Sequence, residues 1–336
     1  MQRLIWAILA AFAMAMVFGP FVIPWLKRLK MGKEIYDLGP QSHMKKQGTP
    51  QMGGVIFAVP ALIAGVAFAY KSEGWNYLAM VIVCALGFGL IGFVDDYIKA
   101  RWKKAEGLTP MQKTVPMLVI SLGVSVWAYL TPSIGSGWRI PFTDIVWDLG
   151  IFYIPLMVFV MVGAVNSANL LDGVDGLLGG CSLFDFVTMA LICVAMAAGD
   201  AANSADLLNV AVFAGAMVGG LMGFLRFNSH PARVFMGDVG SFFIGGALVG
   251  MTTVTGNTLL LPIIALAMMV STLSVIIQTT YFKYTRKKTG TGKRIFKMSP
   301  LHHHFELSGM PETQIVTMYY LVTVVLCLIV LLGYVA

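Results

Sequence analysis

NYLAMVIVCALGFGLIGFVDDYIK, residues 76–99, is the stretch from which the fold follows. From Tyr77 to Val94 no charged side chain intervenes, and the run then meets Asp95, Asp96 and Lys99. A helix of about 20 apolar residues spans a hydrocarbon core of roughly 30 Å. Runs of this kind recur along the chain, at 4–26, 51–70, 76–94, 113–131, 149–168, 179–198, 207–225, 240–256, 259–282 and 314–335. The eighth and ninth are separated only by Gly256, Asn257 and Thr258. The expectation is an all-α integral membrane protein, a bundle of ten transmembrane helices forming one polytopic domain over 1–336. No internal repeat supports an inverted-repeat transporter.

Composition agrees. Hydrophobic residues make up 58% of the 336 positions, charged ones 12%, and the mean hydropathy is +0.80. Soluble domains carry about 25% charged residues, so this chain has too few to coat a water-facing surface. Cys84, Cys181, Cys193 and Cys327 lie inside apolar runs without metal-ligand spacing, and read as packing thiols. Arg3 and the apolar run behind it imitate a signal peptide, but the run continues to Trp25 and ends at Lys27, Arg28, Lys30 and Lys33. That is the pattern of a first span with a cytosolic anchor.

The net charge of +7 points away from nucleic acid because of where the charges fall. With segments 27–50, 95–113, 169–178, 226–239 and 283–313 on one side, that side holds every basic residue except Arg3, Lys71 and Arg139. The positive-inside rule makes it the cytosol and puts both termini outside. All five histidines fall on the same side, and so do Asp95, Asp96, Asp172, Asp175 and Asp238. Asp185 alone lies plainly within a span. Ion-coupled transporters place ionisable groups near mid-bilayer, so the chemistry here belongs to the cytosolic face.

Four cytosolic segments carry that chemistry. Asp95 and Asp96 close a helix about 100° apart and need Mg²⁺ or a nearby lysine to stay ionised together. Lys99 stands where a DDxxD prenyl-diphosphate site would have its last acid. The hairpin from Asn166 holds Asn169, Asp172-Gly and Asp175-Gly without one basic residue. Its amide and acids suit a metal, a ribose or an amide, with an ordinary polar turn as the alternative. The segment Phe227-Asn228-Ser-His230-Pro-Ala-Arg233-Val-Phe235-Met-Gly237-Asp238-Val-Gly240-Ser241 runs into a helix start. There Asp238 can ligate Mg²⁺ while free N–H groups take phosphate, and Phe235 offers a face to a base; the alternative is an N-cap at Asp238 or Ser241. Last comes Ser299-Pro-Leu-His302-His303-His304-Phe-Glu306. Read as extended chain, its histidines alternate sides, which argues against one tetrahedral zinc and for contacts to phosphate oxygens. Lys45, Lys46, Thr49, Pro50, Gly53 and Gly54 open the second span, and no Walker pattern occurs.

Together, Gly48–Gly54, Asp95–Lys99, Asn169–Leu177, Phe235–Ser241 and the run from Ser299 resemble the bacterial phospho-N-acetylmuramoyl-pentapeptide transferases, of the polyprenyl-phosphate N-acetylhexosamine-1-phosphate transferase superfamily. The resemblance spans essentially the whole chain and departs at Gln51 and Met310. It implies a multi-pass enzyme of the bacterial inner membrane that takes UDP-MurNAc-pentapeptide and undecaprenyl phosphate, requires Mg²⁺ and releases UMP. Membrane lipid and a second copy of the chain are carried as further partners. On this resemblance Asp95, Asp96, Asp238 and His303 are the candidate catalytic residues, with Asp238 and Asp172 as metal ligands. Lys46, Thr49, Lys99, Lys113, Asn169, Asp172, Asp175, Asn228, Phe235, His302 and His304 are candidate substrate contacts. Two rivals are a sibling transferase using UDP-GlcNAc or UDP-GalNAc, and a lipid transporter. The triple histidine argues against the first, and the nearly uncharged bilayer core against the second. A groove along the ninth span, bent at Pro262, is the expected path of the polyprenyl chain.

Overall fold

The computed structural model describes residues 1–29, 48–69, 74–102 and 107–335. Among these the long helices are α1 (Gln2–Arg28), α2 (Val55–Ala67), α3 (Asn76–Trp102), α4 (Pro110–Leu130), α5 (Tyr153–Leu171), α6 (Leu177–Gly199), α7 (Ser204–Asn228) and α8 (Gly237–Val254). They are followed by α9 (Leu261–Ile264), α10 (Leu266–Thr289), α11 (Leu301–Glu306) and α12 (Glu312–Val335). A two-stranded antiparallel ribbon, β1 (Gly137–Arg139) with β2 (Val146–Asp148), pairs Trp138 with Trp147. It is the one departure from an all-helical fold among the described residues.

Eight of these helices are long and apolar enough to cross a membrane, or nine if the bent pair 258–264 and 266–289 is one span. The chain is therefore a multi-pass membrane protein. The expected second span, 51–70, is a helix of only 13 residues, because Met52 to Gly54 are drawn into a loop contact described below. The expected ninth span is sharply bent, by 83°. Pro262 sits in the first turn of α9, where its missing N–H costs nothing, and the break falls after it, at Ala265.

Packing follows side-chain size. Lipid offers no hydrophobic drive between helices, so close approach of small residues has to hold them together. α7 and α8 are the buried centre, and their faces are rich in glycine and alanine. Gly215, Gly219 and Gly223 of α7 meet Leu4, Ile8 and Ala15 of α1, while Gly246 and Gly250 of α8 meet Cys84 of α3. α1, α4 and α12 lie outside and turn Phe21, Leu130 and Leu332 outward. The four cysteines are buried and form no disulfide.

Helix ends explain where polar chain turns back. Thr109 and Gln112 form a reciprocal capping box at the start of α4, with Pro110 in its first position. α10 ends at Gly290 in the left-handed region, with Arg286, Lys287 and Lys288 in its last turn. The 283–313 segment, expected as a loop, is therefore helical at both ends.

Candidate functional site

α3 reaches past the expected end of its span and carries Asp95 and Asp96 on its final turns, while Asp238 stands in the first turn of α8. Oxygens of all three lie within 4.8 Å of one another. α3 and α8 can come this close because Gly92 faces the Asp238 carbonyl, where a Cβ would collide with backbone. Gly237 adopts a positive φ of 76°, which aims the loop into the helix start and leaves room for the Asp96 carboxylate.

Two lysines lie on this cluster. Lys99 Nζ is 2.5 Å from Asp95 Oδ2, 3.8 Å from Asp96 Oδ1 and 3.1 Å from Asp238 Oδ2. Lys113, from α4, is 2.8 Å from Asp95 Oδ2 and 3.1 Å from Asp238 Oδ2. Backbone donors complete the set: Leu108 N–H donates to Asp95 Oδ1 at 2.7 Å and Val239 N–H to Asp96 Oδ2 at 3.1 Å. Asn169 Nδ2 donates to Asp238 Oδ1 at 2.8 Å and to Ser241 Oγ at 3.0 Å. The side chains of Asp95 and Asp96 are 0% and 1% exposed, that of Asp238 15%. Asp238 is thus the most exposed of the three acids, and it shares both lysines with Asp95. No side chain caps α8, so neither Asp238 nor Ser241 is its N-cap.

The other expected residues divide into those that meet this cluster and those that brace it. Gly53 and Gly54 N–H donate to the carbonyls of Phe235 and Met236, and Phe235 N–H donates to Pro50 O, each at 2.8 Å. This short ladder ties the Thr49 segment to the chain entering Asp238, with Phe235 half-buried. Asn228 spends both ends of its amide on backbone, accepting from Gly176 N–H at 3.1 Å and donating to Val234 O at 3.0 Å. It is a staple between two loops rather than a presented ligand. Asp172 is the C-cap of α5 and belongs to neither convergent ligand group among the described residues. Asn169, one turn earlier, is the side chain of this segment that donates to Asp238. Lys46 lies outside the described residues.

The histidine run is corrected by the structure. Leu301–Glu306 is a helical turn and a half, not extended chain, so the three imidazoles fan around an axis. The rings of His302 and His303 meet edge to face at 4.3 Å, and His302 lies against Gly173 in the Asp172–Asp175 turn. His303 Nδ1 is 3.1 Å from Glu306 Oε2, while His304 Nδ1 accepts from Lys297 N–H at 3.1 Å.

Residues 78–256 match glycosyl transferase family 4. Over 324 residues the chain is 44% identical to phospho-N-acetylmuramoyl-pentapeptide-transferase of Clostridioides difficile, covering 96% of this chain and 95% of that protein. It is 42% identical to the enzyme of that name from Thermoanaerobacter sp., covering 97% and 96%. For the one from Heliobacterium modesticaldum the identity is 43%, over 94% and 93%. The chain belongs to glycosyl transferase family 4, in its phospho-N-acetylmuramoyl-pentapeptide-transferase branch. For a transferase of this family, the cluster offers convergent hard oxygen donors of the kind suited to a divalent cation.

Sequence reasoning gave no role to two residues that the fold brings together. His230 and Glu312 converge on Asp175, with ligand atoms within 4.8 Å. His230 carries no role in its segment beside Asn228, Phe235 and Asp238, and Glu312, in the first turn of a distant helix, carries no local signal at all. Only folding puts them together.

Proposed function

We propose that this protein transfers phospho-MurNAc-pentapeptide from UDP-MurNAc-pentapeptide to undecaprenyl phosphate, giving undecaprenyl-diphospho-MurNAc-pentapeptide and UMP in peptidoglycan synthesis. The observation that carries the reading is identity of 44% over nearly the whole of both chains with a transferase of that name. The acid and lysine cluster is the chemistry such a reaction needs.

One phosphoanhydride is exchanged for another, so catalysis is chiefly alignment and charge neutralisation. Asp238 would be the main holder of Mg²⁺, which when bound would supply charge neutralisation for the donor diphosphate. Asn169 fixes the Asp238 carboxylate from the far side. Lys113 and Lys99 both stand within reach of Asp238 Oδ2 and neutralise what the metal does not, and Lys46 and His303 are carried as further groups that offset phosphate charge. Asp95 and Asp96 position the lysines and the entering lipid phosphate. A phosphate monoester has a second pKa near 6 and is mostly a dianion at neutral pH, so it needs orientation more than a strong base. The Asp172–Asp175 turn, Phe235 and the helix of His302, His303 and His304 form the nucleotide and sugar side.

The same reading includes the finer topology. The short α2 and the bent α9–α10 pair complete ten crossings of the bacterial inner membrane, with both termini outside and the acids facing the cytosol. The concave side of the bend receives the polyprenyl chain, and a homodimer is the assembly in the membrane. One soluble and one lipid phosphate substrate require a site where cytosol meets lipid.

A radiolabel transfer assay on detergent-purified protein tests the function. UDP-MurNAc-pentapeptide and UDP-GlcNAc are offered separately with undecaprenyl phosphate and Mg²⁺. Lipid-linked product and UMP from the first donor alone are expected; product from UDP-GlcNAc alone overturns the substrate assignment.

A further inference from the structure

Asp175, His230 and Glu312 come from three separate segments: the turn between α5 and α6, the connection after α7, and the first turn of α12. His230 Nδ1 lies 3.2 Å from Asp175 Oδ2 and 3.5 Å from Glu312 Oε2. The two carboxylates are buried, while the His230 side chain is 41% exposed. Two buried acids and one partly exposed imidazole thus meet.

We propose that this triad is a second metal site, for a divalent transition metal of the zinc class, separate from the all-carboxylate cluster at Asp238. The donor set is the first argument. One imidazole nitrogen with two carboxylate oxygens suits zinc, whereas magnesium prefers oxygen ligands and water. The edges are the second. Ligands bound at about 2.0–2.1 Å in a tetrahedron stand roughly 3.3–3.4 Å apart. The two edges at His230, of 3.2 and 3.5 Å, bracket that value, and the two carboxylates offer oxygens within 4.8 Å of each other. Three protein ligands with the fourth position open to water is the arrangement of an accessible zinc site.

The third argument is that bonds outside the triad hold its three segments together. Asn228 links Gly176 N–H to Val234 O, joining the loop of Asp175 to the loop of His230. The Tyr320 hydroxyl donates to Gly176 O at 2.7 Å, joining α12 to the same turn. Ala232 N–H donates to Asp175 Oδ2 at 3.0 Å and orients that carboxylate. An ion entering here meets a site assembled in advance, as supporting hydrogen bonds do for metal ligands generally. Occupancy clamps α12 to the turn that also carries Asp172.

Cobalt(II) reports the site directly, because tetrahedral cobalt has visible bands far stronger than octahedral cobalt. The full chain in detergent, as wild type and as Asp238→Asn to disable the catalytic cluster, is titrated with CoCl₂. Expected are tetrahedral bands saturating at one equivalent in both proteins, displaced by Zn²⁺ but not by excess Mg²⁺, and lost in His230→Gln and Glu312→Gln. Absence of saturable bands in the wild type overturns the proposal. So do bands that survive His230→Gln, or bands lost instead in His303→Asn, which would assign the metal to the histidine helix. No readout depends on turnover, so failure here leaves the transferase reading untouched.

Discussion

Lys113 Nζ stands 3.1 Å from Asp238 Oδ2, which links the first turn of α4 to the first turn of α8. The same nitrogen reaches Asp95 at 2.8 Å, so one ammonium group joins acids from α3 and α8. The capping box at Thr109 and Gln112 sets the direction in which α4 starts and hence where this lysine points.

Replacing Lys113 with Met keeps the stem and removes the charge. Electrostatic donors aimed at a reacting group are worth about 100- to 1,000-fold in turnover. Loss of that order in kcat is expected in the lipid-transfer assay, with the protein eluting from size exclusion as wild type. Retention of more than half of kcat would remove Lys113 from the reaction.

Asn169 Nδ2 donates to Asp238 Oδ1 at 2.8 Å, a contact through which it can hold that carboxylate in place. Outer partners of a metal ligand contribute about 10- to 100-fold in metal affinity or activity. Asn169→Ala should raise the Mg²⁺ concentration for half-maximal turnover by about that factor. A change in donor KM alone, at unchanged Mg²⁺ dependence, would argue for direct substrate contact.

Metal removal should abolish transfer. EDTA is expected to stop formation of lipid-linked product and UMP, and added Mg²⁺ to restore both. Asp238→Asn should stay inactive at any Mg²⁺ concentration, because the one acid of the cluster with appreciable exposure is gone. Activity unaffected by EDTA would rule the metal out.

Gly92→Ala places a Cβ against the Asp238 backbone, which cannot swing aside as a long side chain would. Overpacking of a close contact costs about 1–3 kcal/mol. A lower midpoint of thermal unfolding in detergent is expected, with turnover falling alongside because the acids are pushed apart. Gly123→Ala, where an added Cβ meets nothing within 4 Å, serves as the control and should leave both unchanged.

Much of this was legible in the chain itself. Apolar runs such as 77–94 must cross lipid, because every backbone polar group there needs an internal partner and only a helix supplies it locally. The loops rich in acids and histidines therefore announced where chemistry sits. Asp95, Asp96 and Asp238 could be named because charge beside a long apolar run is costly and needs a reason. Helix bounds were less accessible: α2 is short and α10 breaks away at Ala265, since loop pairing and neighbour packing override local hydropathy.

What no reading of single segments supplies is which side chains meet. Asn169 reaching Asp238, Asn228 serving as a staple, and Glu312 arriving beside Asp175 are contacts across 69, 52 and more than 100 residues. The sequence by itself determined the solvent of each segment, because hydropathy is a local property of side chains. Only the tertiary structure decided the partners. Those depend on how closely helices approach, and that is set at contacts such as Gly92 against Asp238, where the absence of one Cβ admits the backbone of another helix.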